Sequence, residues 1–406
     1  MKNNWNNILP YLRQSPITVE SFQTQIRDFN EPEYDITGII IDHGSDTFKI
    51  GFDNQDTPKS LIKPVIGRNK KLEQDMRSNF MYLEPYIGKE AFNFQKEKNL
   101  ELCFPFEKGE VQDFDNLEKI YHSIFYKELK IVPEEHPVLL SLPIQIPATH
   151  REKICQIMFE TFNVPAIYFA CQQLLSLISS GKTSGLVVDL GNDLISVVPI
   201  HNFSIDFNNS FSQNDFSGSH LTDYLFKMIV DSHHLDSFSK KDAQNIKENF
   251  AYVAFDFEEE TQLPQDFIQK EIELTDKSKI KIGKERFLCS EPLFDPKMVD
   301  KNQIGIHKKI WEMIQKFDID QQDFYLQNII LTGGSSLFPR IEDRLWKELA
   351  KLSLKTNISL TKSKNPIIDS WIGGSLISSR EGFQNFWISK EEYDESGPSI
   401  HIRKVF

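Results

Sequence analysis

The sequence predicts an α/β protein of two lobes built on a duplicated mixed β-sheet unit. Three observations carry this expectation. The chain has 406 residues and a mass of 47.3 kDa, more than one hydrophobic core usually supports. A strand, a polar turn and a second strand follow one another in GIIIDHGSDTFKIGF, and the same construction returns in GLVVDLGNDLISVVPI.

In the first copy, an apolar strand over Gly38 to Ile41 runs into the turn Asp42-His43-Gly44-Ser45 and out through Phe48 and Phe52, the pattern of a β-hairpin with a polar tip. In the second, Leu186 to Val188 leads into Asp189-Leu190-Gly191-Asn192 and a strand ending near Ile200. Between the copies, PVLLSLP reads as a buried strand, and THREKICQIMFETF places Ile154, Ile157, Met158 and Phe162 on one helical face. Farther on, DAQNIKENFAYVAFDF carries Ile246, Phe250, Val253 and Phe257 at helical spacing. NIILTGGSSLFPRIEDRLWKEL reads as a strand, a glycine turn and a helix opening near Pro339, an order that suits a ligand at a helix N-terminus.

Composition narrows the function classes. A formal charge of -13 argues against direct nucleic-acid binding, which needs a basic face. The start of the chain lacks the apolar stretch of a signal peptide, and no run of about 18 apolar residues offers a membrane span. The expectation is a soluble intracellular protein. Cys103, Cys155, Cys171 and Cys289 are scattered with no C-x-x-C pair and mostly apolar neighbours, which predicts buried free thiols.

Two hairpins, each with Asp at a strand end and Gly two residues on, suit a polyphosphate held by turn amides, with an Asp from each lobe positioning hydrated Mg²⁺. A lone D-x-G is usually only a strand-ending turn. The pair, together with Gly333-Gly334, is far more specific.

At this point the chain resembles the superfamily of actin, Hsp70 and the sugar kinases, and longer strings narrow the resemblance to actin. EEHPVLLS, REKICQIMFETFNVPAIYFACQQLLSLISSGKTSG, WIGGS and WISKEEYDESGPSIHIRKVF are similar to actin's own segments almost residue for residue. The resemblance implies an extension over 1–37, a small lobe over 38–179 and 369–406 with a subdomain at about 66–104, and a large lobe over 180–368. It implies ATP or ADP with Mg²⁺ in the cleft, and a slow ATPase of actin type if the site is active. Asp42, Gly44, Ser45 and Lys49 match the first phosphate loop, and Asp189 and Gly191 the second. Asp42 and Asp189 would reach the metal through water. Gln172 matches the glutamine beside the attacking water, Lys247 and Glu248 the nucleoside-contacting helix, and Gly333 and Gly334 the adenosine turn.

Several positions depart from that pattern. Asp46 and Asp193 each stand where a phosphate loop has glycine. Two like unit charges about 4 Å apart at an effective dielectric of about 20 repel by about 4 kcal/mol, so weakened phosphate affinity is expected. Asn192 replaces the second-loop aspartate, and Ser196 replaces the histidine that helps organise the attacking water, which predicts slow or absent hydrolysis. Ile367 falls where actin has a lysine near the adenine, with Lys362 and Lys364 close by, and Phe338 replaces a tyrosine.

The surface departs too. NKKLEQDMRSNFMYLEPY shares little with the actin loop that enters the next subunit, DPKMVDKNQIGIH replaces an apolar plug, and Lys108 and Arg380 occupy the positions of a modified histidine and of a leucine in a partner-binding cleft. These changes argue against ordinary homopolymers. In the extension, Ile8, Leu9, Leu12, Ile17 and Phe22 could form a docking segment. The reading is an actin-related structural or interaction protein of the cytoplasmic cytoskeleton, with actin, actin-related or other cytoskeletal proteins as partners. A polymerising actin-like ATPase and a nuclear actin-related subunit of a chromatin-remodelling complex stand as alternatives.

Overall fold

The computed structural model describes residues 37–69, 85–233, 238–299, 301–355 and 357–404. The extension with its docking segment and most of the loop 69–86 lie outside the described residues. The chain divides into two compact units, one formed by residues 1–183, 200–205 and 368–406, the other by 184–199 and 206–367.

In the first unit, strand β1 (Ile39–His43) pairs antiparallel with β2 (Phe48–Phe52), and β2 with β3 (Ser60–Ile62). On its other side β1 runs parallel to β4 (Val138–Leu142), which runs parallel to β5 (Ala166–Cys171). β1 and β4 are buried along their whole length, so both read as continuous apolar runs rather than alternating ones. The register sets Asp42 beside Ser141 and Ser141 beside Ala170, all at the carboxyl ends of parallel strands, where α/β sheets place their ligands.

Helix Gln172–Ser179 begins where β5 ends. It packs on helix Asp369–Ser378, the WIGGS helix, and the approach is close because Gly373 has no side chain. A Cβ there would lie 2.0 Å from the Leu175 carbonyl oxygen. That contact fixes Gln172 and Ser370, at the N-terminal ends of the two helices, relative to β1. Helix Ala148–Gln156 continues into a wider π-type turn over Ile157–Thr161, and Ile154, Ile157, Met158 and Phe162 all enter the core of this unit.

The second unit repeats the plan. Its sheet runs β7 (Ile195–His201), β6 (Gly185–Leu190), β8 (Ile329–Thr332), β9 (Leu360–Lys362), the order in which β2, β1, β4 and β5 lie in the first. Again β6, β8 and β9 are parallel, and Asp189 sits beside Thr332 at the strand ends. The repeat visible in the sequence is therefore a repeat of topology.

Helical spacing overextends one element. Helix Lys240–Phe250 stops at Ala251, whose backbone is extended. Val253 then donates to the Pro339 carbonyl, and Asp256 caps a separate helix, Phe257–Gln262, by accepting from the amides of Glu258 and Glu259. A local cap and a long-range backbone bond outweigh the periodicity that joined Phe250, Val253 and Phe257. Of the cysteines, Cys155, Cys171 and Cys289 are buried free thiols, and Cys103 is half-buried. Among the described residues, no helix is long and apolar enough to cross a membrane.

Candidate functional site

In the first unit the candidate groups converge on Asp42. Its carboxylate receives Lys49 Nζ at 2.9 Å, Gln172 Nε2 at 3.0 Å and Ser370 Oγ at 3.1 Å, together with the Ser141 hydroxyl. Gln172 Nε2 also lies 3.1 Å from the His43 carbonyl oxygen. Burial pushes the Asp42 carboxyl up, but Lys49 and the hydrogen bonds from Ser141, Lys49 and Gln172 outweigh it and hold the group below the usual carboxylate range. Asp42 is thus a fixed anion at neutral pH.

The neighbouring His43 stays neutral. Its Nδ1 meets the Ser141 carbonyl oxygen at 2.9 Å, its Nε2 meets the Tyr121 hydroxyl at 2.7 Å, and burial lowers its pKa to about 4. Gly44 is required by space: a Cβ would lie 2.4 Å from the Thr47 carbonyl oxygen and 2.7 Å from Lys49 Nζ. The Ser45 hydroxyl is half-exposed. A turn of this kind, with a lysine ammonium and a hydroxyl at its tip, offers a phosphate both charge and donors.

Asp46 does not stand as an uncompensated charge. Its Oδ2 accepts from Lys63 Nζ at 2.5 Å and from Thr47 Oγ1 at 2.8 Å. The repulsion expected from the sequence is correspondingly smaller at this position.

In the second unit, Gly191 donates its amide to the Leu194 carbonyl at 2.9 Å, and a Cβ at Gly191 would lie 2.7 Å from that same oxygen. Asn192 Nδ2 donates to Asp193 Oδ1 at 2.8 Å. Ser196 is buried, and its hydroxyl is engaged with that of Ser212 at 3.0 Å.

Gly218, at the start of helix Gly218–His233, gathers the rest. Its amide donates to the Gly191 carbonyl, its own carbonyl accepts from the buried Lys247 Nζ at 2.7 Å, and Ser335 Oγ lies 3.0 Å from where its Cβ would be. Gly333 has φ +81°, and a Cβ there would lie 2.5 Å from Asp189 Oδ1 and 2.6 Å from the Leu190 carbonyl carbon. Nothing lies within 4 Å of a Cβ at Gly334. Asp189, Gly191, Asn192, Lys247, Gly333 and Gly334 are therefore brought into one neighbourhood. Glu248 is exposed and accepts from Gln244 Nε2 at 2.8 Å.

Residues 34–406 match the family model described as Actin. A Dictyostelium discoideum protein named "Putative actin-29" is 34% identical over 381 residues, which cover 91% of this chain and 97% of that protein. The chain belongs to the actin family.

Its fold is the actin-family one, of mixed α/β sheets and helices. Sequence reasoning missed several participants. Ser141 and Ser370 both bond Asp42, and the signal for Ser141 was a lone hydroxyl near the end of an otherwise apolar strand. Lys362 bonds the Ser336 carbonyl at 3.2 Å and Glu342 at 2.7 Å, placing a cation beside the glycine turn, while Ile367 is partly exposed. Lys63 was not singled out, because its contact with Asp46 depends on strand pairing.

Proposed function

We propose that this chain is an actin-related structural and interaction protein of the cytoplasmic cytoskeleton, one that keeps Mg²⁺–ATP or ADP as a structural ligand and hydrolyses it slowly or not at all. The observation that carries the ligand part is the convergence of Lys49, Gln172, Ser141 and Ser370 on the Asp42 carboxylate. A buried carboxylate whose Oδ1 is held by three donors and whose Oδ2 faces Lys49 is rigid enough to orient hydrated Mg²⁺. The turn at Gly44 and Ser45 with Lys49, and the turn at Gly191 and Asn192, would hold the phosphates. Asp189 would serve the metal through water, and Lys247, Glu248, Gly333 and Gly334 would hold the nucleoside.

Bound Mg²⁺ would neutralise phosphate charge, and the chain's own residues decide whether water is activated. Gln172 is anchored by Asp42 and the His43 carbonyl, so its side-chain oxygen is left to orient a water. The Ser196 hydroxyl, however, is turned to Ser212 and offers no imidazole to accept a proton. Slow turnover follows from the missing base. A retained ligand would still stabilise the native state by mass action.

The interaction part rests on the sequence departures at DPKMVDKNQIGIH and at Arg380, where the chain differs from the segments an actin subunit would present. Partners drawn from actin, actin-related and other cytoskeletal proteins fit this reading.

The test is the nucleotide content of protein purified with Mg²⁺ throughout, read by chromatography after denaturation and followed by sedimentation in polymerising salt. Bound nucleotide without pelleting supports the proposal. ATP converted to ADP as filaments appear would make it a polymerising ATPase, the reading that the anchored Gln172 favours. Protein without nucleotide would remove the ligand from the proposal.

A further inference from the structure

We infer that Lys63 is a positioning residue for the first phosphate loop, holding the Asp46 carboxylate so that an acidic side chain at the turn does not repel a polyanion. This rests on the nucleotide reading above.

The geometry starts with strand pairing. β3 pairs antiparallel with β2 in a register that sets Ile62 opposite Phe48 and Leu61 opposite Lys49. Extending it by one step sets Lys63, the residue after β3, opposite Thr47 and beside Asp46. Pro64 follows, which favours extended backbone at Lys63 and carries the pairing direction past the strand end. The Lys63 carbonyl accepts the Val65 amide at 2.8 Å, so the backbone that bears the side chain is itself tied.

Lys63 Nζ reaches Asp46 Oδ2 at 2.5 Å, and Thr47 Oγ1 donates to the same oxygen at 2.8 Å. Two donors on one oxygen fix the carboxylate. Each side chain of the ion pair is about a third exposed, at 35% and 36%, so solvent screens it and its worth to folding is small. Its worth to a ligand is different. A phosphate near this turn would meet either a bare carboxylate or a neutral pair, and only the first opposes binding. Lys63 acts through Asp46 and need not touch the ligand.

The separation in chain position makes the idea testable as a coupling. In an Mg²⁺–ATP titration, Lys63→Met should weaken affinity on the order of tenfold, because it uncovers one charge near the polyphosphate. Asp46→Asn with Lys63→Met should return to within about threefold of the parent, since removing both members removes the coupling. Adenosine, which has no phosphate, should bind the parent and Lys63→Met alike, and the thermal midpoints should agree.

Equal ATP affinity for the parent and Lys63→Met would overturn the inference, as would failure of the double variant to recover. A parent protein that binds no ATP would instead defeat the ligand reading, and the ion pair is then judged without ligand. Acylation of Lys63 by an N-hydroxysuccinimide ester, followed by mass spectrometry, should be faster in Asp46→Asn than in the parent if the pair forms. Identical rates would overturn the inference by that route.

Discussion

Lys49 Nζ stands 2.9 Å from Oδ2 of Asp42, with both side chains buried. The pair is buried, so removing one member strands the other's charge. Lys49→Met should lower unfolding free energy by about 3–5 kcal/mol, the usual result of breaking a buried ion pair from one side. Lys49→Met with Asp42→Asn should recover a large part of that loss, and urea denaturation of the parent, both single variants and the double variant measures it. An additive double variant would mean that the two charges do not interact.

The two glycines of the 333–334 turn should separate fold from ligand. Gly333 adopts φ +81° and has the Asp189 carboxylate and Leu190 backbone against its α-carbon, whereas Gly334 faces open space. Gly333→Ala combines strain with overlap and should cost about 2–4 kcal/mol. Gly334→Ala should leave the thermal midpoint unchanged and yet weaken Mg²⁺–ATP if the nucleoside packs there. A stable Gly334→Ala protein with parental ATP affinity would remove this turn from the site.

Two buried groups in the second unit predict opposite pH slopes. Burial lowers His307 to about 4, although Glu348 pulls it upward, with Lys308, Arg344 and Lys351 also acting to lower it. Below an unfolded value near 6.5 the unfolded chain therefore binds more protons, and stability falls as pH drops from about 6.5 towards 4. Relative to His307→Gln, the parent should lose about 2 kcal/mol between pH 7 and pH 5. Burial raises Glu291 to about 7 against the opposing pull of Arg344, so its proton is held in the folded state while the unfolded chain releases it. That contribution is lost as pH rises from about 4.5 through 7. Thermal midpoints across this range, compared with His307→Gln and Glu291→Gln, should diverge from the parent in opposite directions.

How much of this was legible in the sequence depends on the range of the interaction. The turns at Gly44 and Gly191 are local: an apolar strand, an Asp and a glycine forced by a carbonyl three residues on. They could be read from fifteen residues. WIGGS could be matched to a family string, but that Gly373 lies against the Leu175 backbone is a fact of packing. Ser141 bonds Asp42 because two parallel strands share a register, and Lys63 reaches Asp46 because two antiparallel strands do. Neither register is written in the local pattern. The helix ending at Phe250 was overextended for a similar reason, since the Pro339 carbonyl that captures the Val253 amide lies far away in sequence.

The sharpest chemical consequence concerns Ser196. Its hydroxyl is paired with Ser212 across neighbouring strands, at the registered pair Ser196 and Ser212, and the side chain is buried. On the nucleotide reading proposed above, a histidine at this position would supply a proton acceptor, but the imidazole would collide with Ser212 in a packed site. Ser196→His alone should therefore fold less stably and gain little activity. With Ser212→Gly the space opens, and single-turnover phosphate release from bound ATP should rise by about 10²-fold, the lower range for a positioned acid or base. Release that stays slow in a well-folded Ser196→His, Ser212→Gly protein would place the defect elsewhere, with Asp193, an acidic residue in the turn that follows Gly191, as the next position to substitute.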